Sequence, residues 1–130
     1  TPDYLSLSTA CLVQHAIGAK KAAAMDIQAA CSGYLYGIAT AKAFIESGMY
    51  KHVLVIAAEK LSSIVNYQDR TTCILFGDGA AACLLSSENV KGLMILASCL
   101  GAEGEHALLG YVPAGGCRLP ASKETIEQHQ

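Results

Sequence analysis

Cys31 stands in the run Ala29-Ala30-Cys31-Ser32-Gly33, flanked on both sides by small residues. Ahead of it, Met25 and Ile27 alternate around Asp26, which predicts a strand over Ala22–Gln28. After it, Leu35, Ile38, Ala39, Ala41, Phe44 and Ile45 recur at helical spacing. The cysteine therefore falls where a strand turns into a helix. A helix N-terminus presents unpaired N–H groups and the positive end of the macrodipole. Both favour the thiolate, the nucleophilic form of cysteine. The same N–H groups can hold the oxyanion formed when that thiolate attacks a carbonyl. Small neighbours leave room for the electrophile, as at a nucleophile elbow. Taken by itself, the run also fits a buried, inert cysteine.

The other five cysteines carry weaker signals. Cys73, Cys83 and Cys99 each sit inside an apolar run, where a thiol behaves as a small hydrophobe. Cys11 reads as core on a helix, and Cys117 lies in a loop beside Gly115-Gly116. There is no Cys-x-x-Cys pair and no His at ligand spacing from a Cys, so no metal site is expected. Reduced thiols in a cytosol-like compartment fit better than a disulfide scaffold. A cysteine nucleophile commonly works with a base. His15, His52 and His129 read as structural or solvent-facing, which leaves His106, in a long loop, as the one to test. A second constellation is Gln68-Asp69-Arg70-Thr71-Thr72. The Arg70 guanidinium can pair with phosphate or stack on a purine, or it can pair with Asp69 or Glu59. No Gly-x-Gly-x-x-Gly and no Walker loop occur, so hydride transfer and nucleotide hydrolysis have no support.

Several elements must position these residues. Ser8 or Thr9 predicts a self-capped helix start ahead of Leu12, Val13, Ala16 and Ile17, with Gly18 as its stop. Lys42 and Glu46 fall on the polar side of the helix after Cys31, and Gly48 ends it. His52–Ala58 is a continuous apolar run, the pattern of a strand covered on both faces in a parallel sheet. Strand, helix and strand then form a right-handed βαβ unit. Two more strands are expected at Thr72–Phe76 and Ala80–Leu85, joined by a tight turn at Gly77-Asp78-Gly79. A further strand is expected over Gly92–Leu100, a loop over Gly101–Gly116 and a helix start within Ala121–Gln130.

Composition bounds the rest. The chain has 130 residues, 52% hydrophobic and only 15% charged, with a net charge of -2. That excludes a self-repelling disordered tail. Nine Lys+Arg against eleven Asp+Glu, with no cationic block, argue against a nucleic-acid stripe. The uncharged stretch Ile27–Ala41 is shorter than the ~20 residues of a membrane helix. No basic leader precedes it, so no signal peptide is expected. So little charge implies that much of the chain is interior, either to a larger protein or to a subunit interface.

Taken in order, Thr1-Pro2-Asp3, Ser8-Thr9-Ala10-Cys11, Asp26-Ile27-Gln28-Ala29-Ala30-Cys31-Ser32-Gly33-Tyr34, Asp69-Arg70-Thr71 and Phe76-Gly77-Asp78-Gly79-Ala80-Ala81-Ala82 closely resemble the β-ketoacyl-acyl-carrier-protein synthase III family. The likeness runs from Thr1 through at least Pro120, with Ala81 where Gly is frequent. The resemblance implies an α/β, thiolase-like layered fold of two similar halves, in a homodimer. Family chains are much longer, so this sequence reads as an internal fragment. Residues 1–90 would be part of the first half, and 91–130 the junction and the start of the second.

The family members initiate fatty acid synthesis, so the implied activity is a decarboxylative condensation through an acyl-cysteine. Cys31 would accept the acyl group, and its N–H would help form the oxyanion hole. Arg70 would contact the adenine end of coenzyme A. Leu61, Phe76 and Leu108 would line the acyl pocket. Ser6 stands where the dimer partner usually inserts a bulky residue, which implies a deeper pocket and longer or branched primers. The implied partners are acyl-CoA, as substrate rather than cofactor, and malonyl-acyl carrier protein, with no nucleic acid and no membrane. The implied compartment is the bacterial cytoplasm or a plastid. The family's His-Gln-Ala-Asn and Gly-Asn-Thr motifs do not occur here, so these residues would accept an acyl group without condensing it. Polyketide and hydroxymethylglutaryl-CoA synthases share the cysteine geometry, but Gln68-Asp69-Arg70 and the Gly-Asp-Gly turn favour the initiating synthase. A non-catalytic remnant that serves only in subunit pairing is the alternative outside enzymology.

Overall fold

The computed structural model describes residues 1–88 and 91–128, so His129 lies outside the described residues. Two compact units divide the chain, Thr1–Ser98 and the part from Cys99 onward. In the first unit, helix α1 spans Thr9–Ala16 and helix α2 spans Gly33–Glu46. Strands β1 (His52–Lys60) and β2 (Asp78–Ser86) form a two-stranded antiparallel sheet, in register from His52 opposite Ser86 to Lys60 opposite Asp78. The second unit holds a 3₁₀ segment, Gly104–Leu109, within the expected loop, and a short helix α3, Lys123–Glu127. Ser122 and Thr125 close a reciprocal cap at the start of α3.

α2 packs on the sheet. Its Gly37 and Ala41 are buried, and Val55 of β1 lies beneath them. A Cβ built on Gly37 would stand 3.0 Å from Val55 Cγ1, so only glycine lets the helix come this close. The period of two along β1 turns Val53, Val55 and Ala57 toward α2. Leu54 and Ile56 face the other way and stay exposed, as does Leu84, the cross-strand partner of Leu54. The Tyr34 hydroxyl of α2 hydrogen bonds the Cys83 thiol on β2, and this bond pushes the phenol above its usual range. Lys42 and Glu46 pair at 2.6 Å on the outer face of α2. Gly18 and Gly48, with φ of +72° and +75°, end α1 and α2 in the left-handed region that glycine adopts without strain.

Several expectations do not hold. Ala22–Gln28 is not a strand, because no neighbour supplies a ladder among the described residues, so the βαβ unit is not closed. β1 is antiparallel rather than parallel, and only one of its faces is covered. Thr72–Phe76 forms no strand, since Thr71 and Thr72 are drawn into a turn around Asp69. Gly77-Asp78-Gly79 is not a hairpin turn: Asp78 and Gly79 already pair with Lys60 and Glu59 as the first residues of β2. Gly92–Leu100 is irregular, with Leu93, Met94 and Leu96 exposed. Cys11, expected as core, is exposed on α1, and Cys99 is exposed too.

Candidate active site

The approach to Cys31 bends sharply. Ala29 has φ -148° and ψ 35°, and Ala30 has φ +47°, the left-handed region that L-residues rarely occupy. Such a residue costs of order 1–3 kcal/mol and needs a small side chain to fit. Ala30 begins a 3₁₀ turn over Ala30–Ser32, closed by the Ser32 N–H donating to Ala29 O at 3.1 Å. α2 starts at the next residue, Gly33. Cys31 is therefore held on a tight turn at the leading end of a fourteen-residue helix, and it is exposed. That placement rules out the burial expected of a core thiol.

Asp26 ties this segment to α1. Its carboxylate accepts from the Ala10 N–H at 2.8 Å, the Thr9 N–H at 2.9 Å and the Ser8 hydroxyl at 3.1 Å. The Ala10 bond, followed by those from Thr9 and Ser8, outweighs burial and holds Asp26 below the usual carboxylate range. This corrects the expected self-cap. Ser8 is the N-cap residue, but its side chain makes no cap hydrogen bond, and the oxygen comes from Asp26. No local rule finds that cap, because the partners lie sixteen to eighteen residues apart.

Arg70 lies in the connection between β1 and β2 and is exposed. It forms no ion pair among the described residues. Of the two carboxylates considered for it, Asp69 is engaged elsewhere. Asp69 Oδ1 accepts from the Thr71 N–H at 3.0 Å and the Thr71 hydroxyl at 2.6 Å, and its Oδ2 accepts from the Thr72 hydroxyl at 2.7 Å. These bonds, the Thr71 hydroxyl first, hold Asp69 below the usual carboxylate range.

The same connection begins and ends at a clasp that sequence reasoning missed. Asp78 accepts from the Ser62 hydroxyl at 2.6 Å and the Ser62 N–H at 2.8 Å, with Lys60 Nζ at 3.5 Å. Beside it, Leu61 faces an open cleft of about 440 Å³ bordered by Gly77 and the start of β2. Phe76, half-exposed, immediately precedes Gly77. The structure thus brings Leu61 to the Gly77 end of the connection, while Cys31, Arg70 and Ser6 do not border this cleft. Ser6 is exposed ahead of α1. Leu108 is exposed on the 3₁₀ segment of the second unit. There His106 lies 3.7 Å from Glu105 and 4.0 Å from Glu103. His52 lies 3.5 Å from Glu88 on β1, and His15 is exposed on α1.

The sequence model of the 3-oxoacyl-[acyl-carrier-protein] synthase III family matches residues 25–104, which contain Cys31, Arg70 and the β1–β2 sheet. The chain belongs to this family. A β-ketoacyl-[acyl-carrier-protein] synthase III of Chlamydia trachomatis is 54% identical over 99% of the chain, which covers 39% of that relative. The Clostridioides difficile relative of the same name is 55% identical over 98% of the chain and 38% of its own length. The crystal structure of the Thermus thermophilus synthase III superposes with a TM-score of 0.81 at 39% identity, over 95% of this chain and 37% of that one. The family's thiolase-like α/β fold is thus the fold of this chain, which spans somewhat over a third of the length of these relatives. No helix among the described residues is long and apolar enough to cross a membrane.

Proposed function

We propose that Cys31 is the acyl-accepting nucleophile of a β-ketoacyl-acyl-carrier-protein synthase III, which condenses an acyl-CoA primer with malonyl-acyl carrier protein to start fatty acid synthesis. The observation that carries this reading is the exposed Cys31 thiol at the leading end of α2, one residue after the left-handed Ala30. In the first stage the thiolate attacks the thioester carbonyl. The new bond is carbon to Cys31 sulfur, the broken bond is carbon to coenzyme A sulfur, and the released coenzyme A takes up a proton. One thioester replaces another, so the step is nearly thermoneutral. The first-turn N–H groups face the developing oxyanion, where such donors contribute most. The Arg70 guanidinium meets the nucleotide end of the substrate, and Leu61 and Phe76 form apolar wall for the acyl chain.

In the second stage, decarboxylation of the malonyl group supplies the carbanion equivalent that attacks the acyl-cysteine. The family's His and Asn motifs for that stage do not occur among these 130 residues. The protein works as a homodimer in the cytoplasm, and the small Ser6 leaves room for primers longer than acetyl.

Intact-mass measurement after incubation with acyl-CoA tests the reading. The expected result is one acyl adduct on Cys31, lost in Cys31→Ala; an unmodified Cys31 refutes the assignment and favours a remnant that serves only in subunit pairing. A primer series then tests the pocket: straight and branched four- to five-carbon acyl groups are expected to load at rates within about tenfold of acetyl, a span of ~1.4 kcal/mol. Strict acetyl preference would refute the role given to Ser6.

A further inference from the structure

An arginine directly after an aspartate has a carboxylate within reach that could take up its charge. In this chain the aspartate is engaged elsewhere. Asp69 takes three hydrogen bonds, two from Thr71 at Oδ1 and one from Thr72 at Oδ2. Its backbone carbonyl also accepts from the Cys73 N–H at 3.0 Å, which closes the turn around Arg70. A carboxylate offers about four lone-pair sites. Three of them face the threonines, and Arg70 projects into solvent with no ion pair among the described residues.

We propose that Asp69 is a positioning residue: by committing its carboxylate to Thr71 and Thr72, it keeps the Arg70 guanidinium free for the nucleotide end of an acyl-CoA. The inference rests on the role given to Arg70 above and adds the device that maintains it. The two threonine hydroxyls are part of that device. Removing them would release an anion directly beside the cation. Removing the carboxylate would release Thr71 and Thr72, which it holds beside the cation. Either change weakens recognition of the nucleotide and leaves the thioester end of the substrate alone.

The test compares two substrates in the native protein. One is butyryl-CoA. The other is butyryl-N-acetylcysteamine, a thioester with no nucleotide. The second-order rate of Cys31 acylation is measured for each, and the readout is their ratio. Asp69→Ala is expected to lower the ratio about five- to tenfold, the scale of one charge-assisted contact. Thr71→Val combined with Thr72→Val, which retains the carboxylate, is expected to lower it similarly. Asp69→Asn keeps one acceptor oxygen and restores most of it.

A general loss of structure would slow both substrates and leave the ratio unchanged, and that result overturns the proposal. The control is Arg70→Ala. If its ratio does not fall, the role of Arg70 fails and the inference fails with it. If its ratio falls while those of Asp69→Ala and the threonine pair do not, the inference alone fails. If the wild-type protein takes no acyl group from either substrate, the assignment of Cys31 fails first.

Discussion

Asp26 shows how one side chain can serve two segments. It satisfies the N–H groups at the start of α1 and ties the irregular run that leads to Cys31 to that helix. Removing such a cap costs about 0.5–2 kcal/mol, and Asp26→Asn keeps its shape while removing its charge. Because its folded pKa is depressed, the stability it adds is fully present above the unfolded carboxylate value. It is lost as pH falls below about 4 and through the folded value. The stability gap between wild type and Asp26→Asn, read by urea unfolding, is therefore expected to be widest near neutral pH and to shrink toward pH 3. A gap independent of pH would show that the charge is not what holds α1. The sequence displayed Asp26 between two apolar residues, yet its partner was not legible, since Ser8–Ala10 is distant along the chain. The place of Cys31 at the head of α2 was legible, because small neighbours and the helical spacing after it are local properties.

At the scale of elements, the contact of α2 with β1 turns on Gly37. Alanine at a helix interior gains about 1 kcal/mol over glycine. Here its Cβ would meet a Val55 methyl at 3.0 Å, and a β-branched side chain has few rotamers with which to yield. Overpacking costs about 1–3 kcal/mol, so Gly37→Ala is expected to destabilise on balance. In a Val55→Ala background the clash is gone, and the same change is expected to stabilise by about 1 kcal/mol. Chemical unfolding of the four proteins in this cycle checks the reversal of sign. The helices were readable because their apolar spacing, polar face and glycine stops agree. The sheet was less so. The apolar run of β1 is compatible with a parallel or an antiparallel neighbour, and Asp-Gly is a turn signal only if nothing distant claims the aspartate. Ser62 claims it, and the residues expected to form a hairpin become the end of a long connection.

For the whole molecule, the low charge finds its counterpart in apolar side chains left in solvent: Leu54, Ile56 and Leu84 on the open face of the sheet, and Leu93, Met94 and Leu96 beyond it. Scattered exposed apolar residues are ordinary, but a contiguous face marks an interaction surface. The proposed site is divided in the same sense, since Cys31 occurs without the family's motifs for the second stage. A polypeptide of these 130 residues is therefore expected to load an acyl group on Cys31 and to form no β-ketoacyl product from malonyl-acyl carrier protein; chromatographic detection of that product would overturn the division of labour. By itself the sequence determined the family, the helix that follows Cys31 and the apolar character of the surroundings, because each rests on residue type at short spacing. Only the tertiary structure decided that β1 and β2 run antiparallel, that Asp26 caps a helix far from it in sequence, and that Ser62 binds Asp78 from across the long connection. Those outcomes depend on which distant donor reaches a given acceptor first, and a linear pattern does not record that competition.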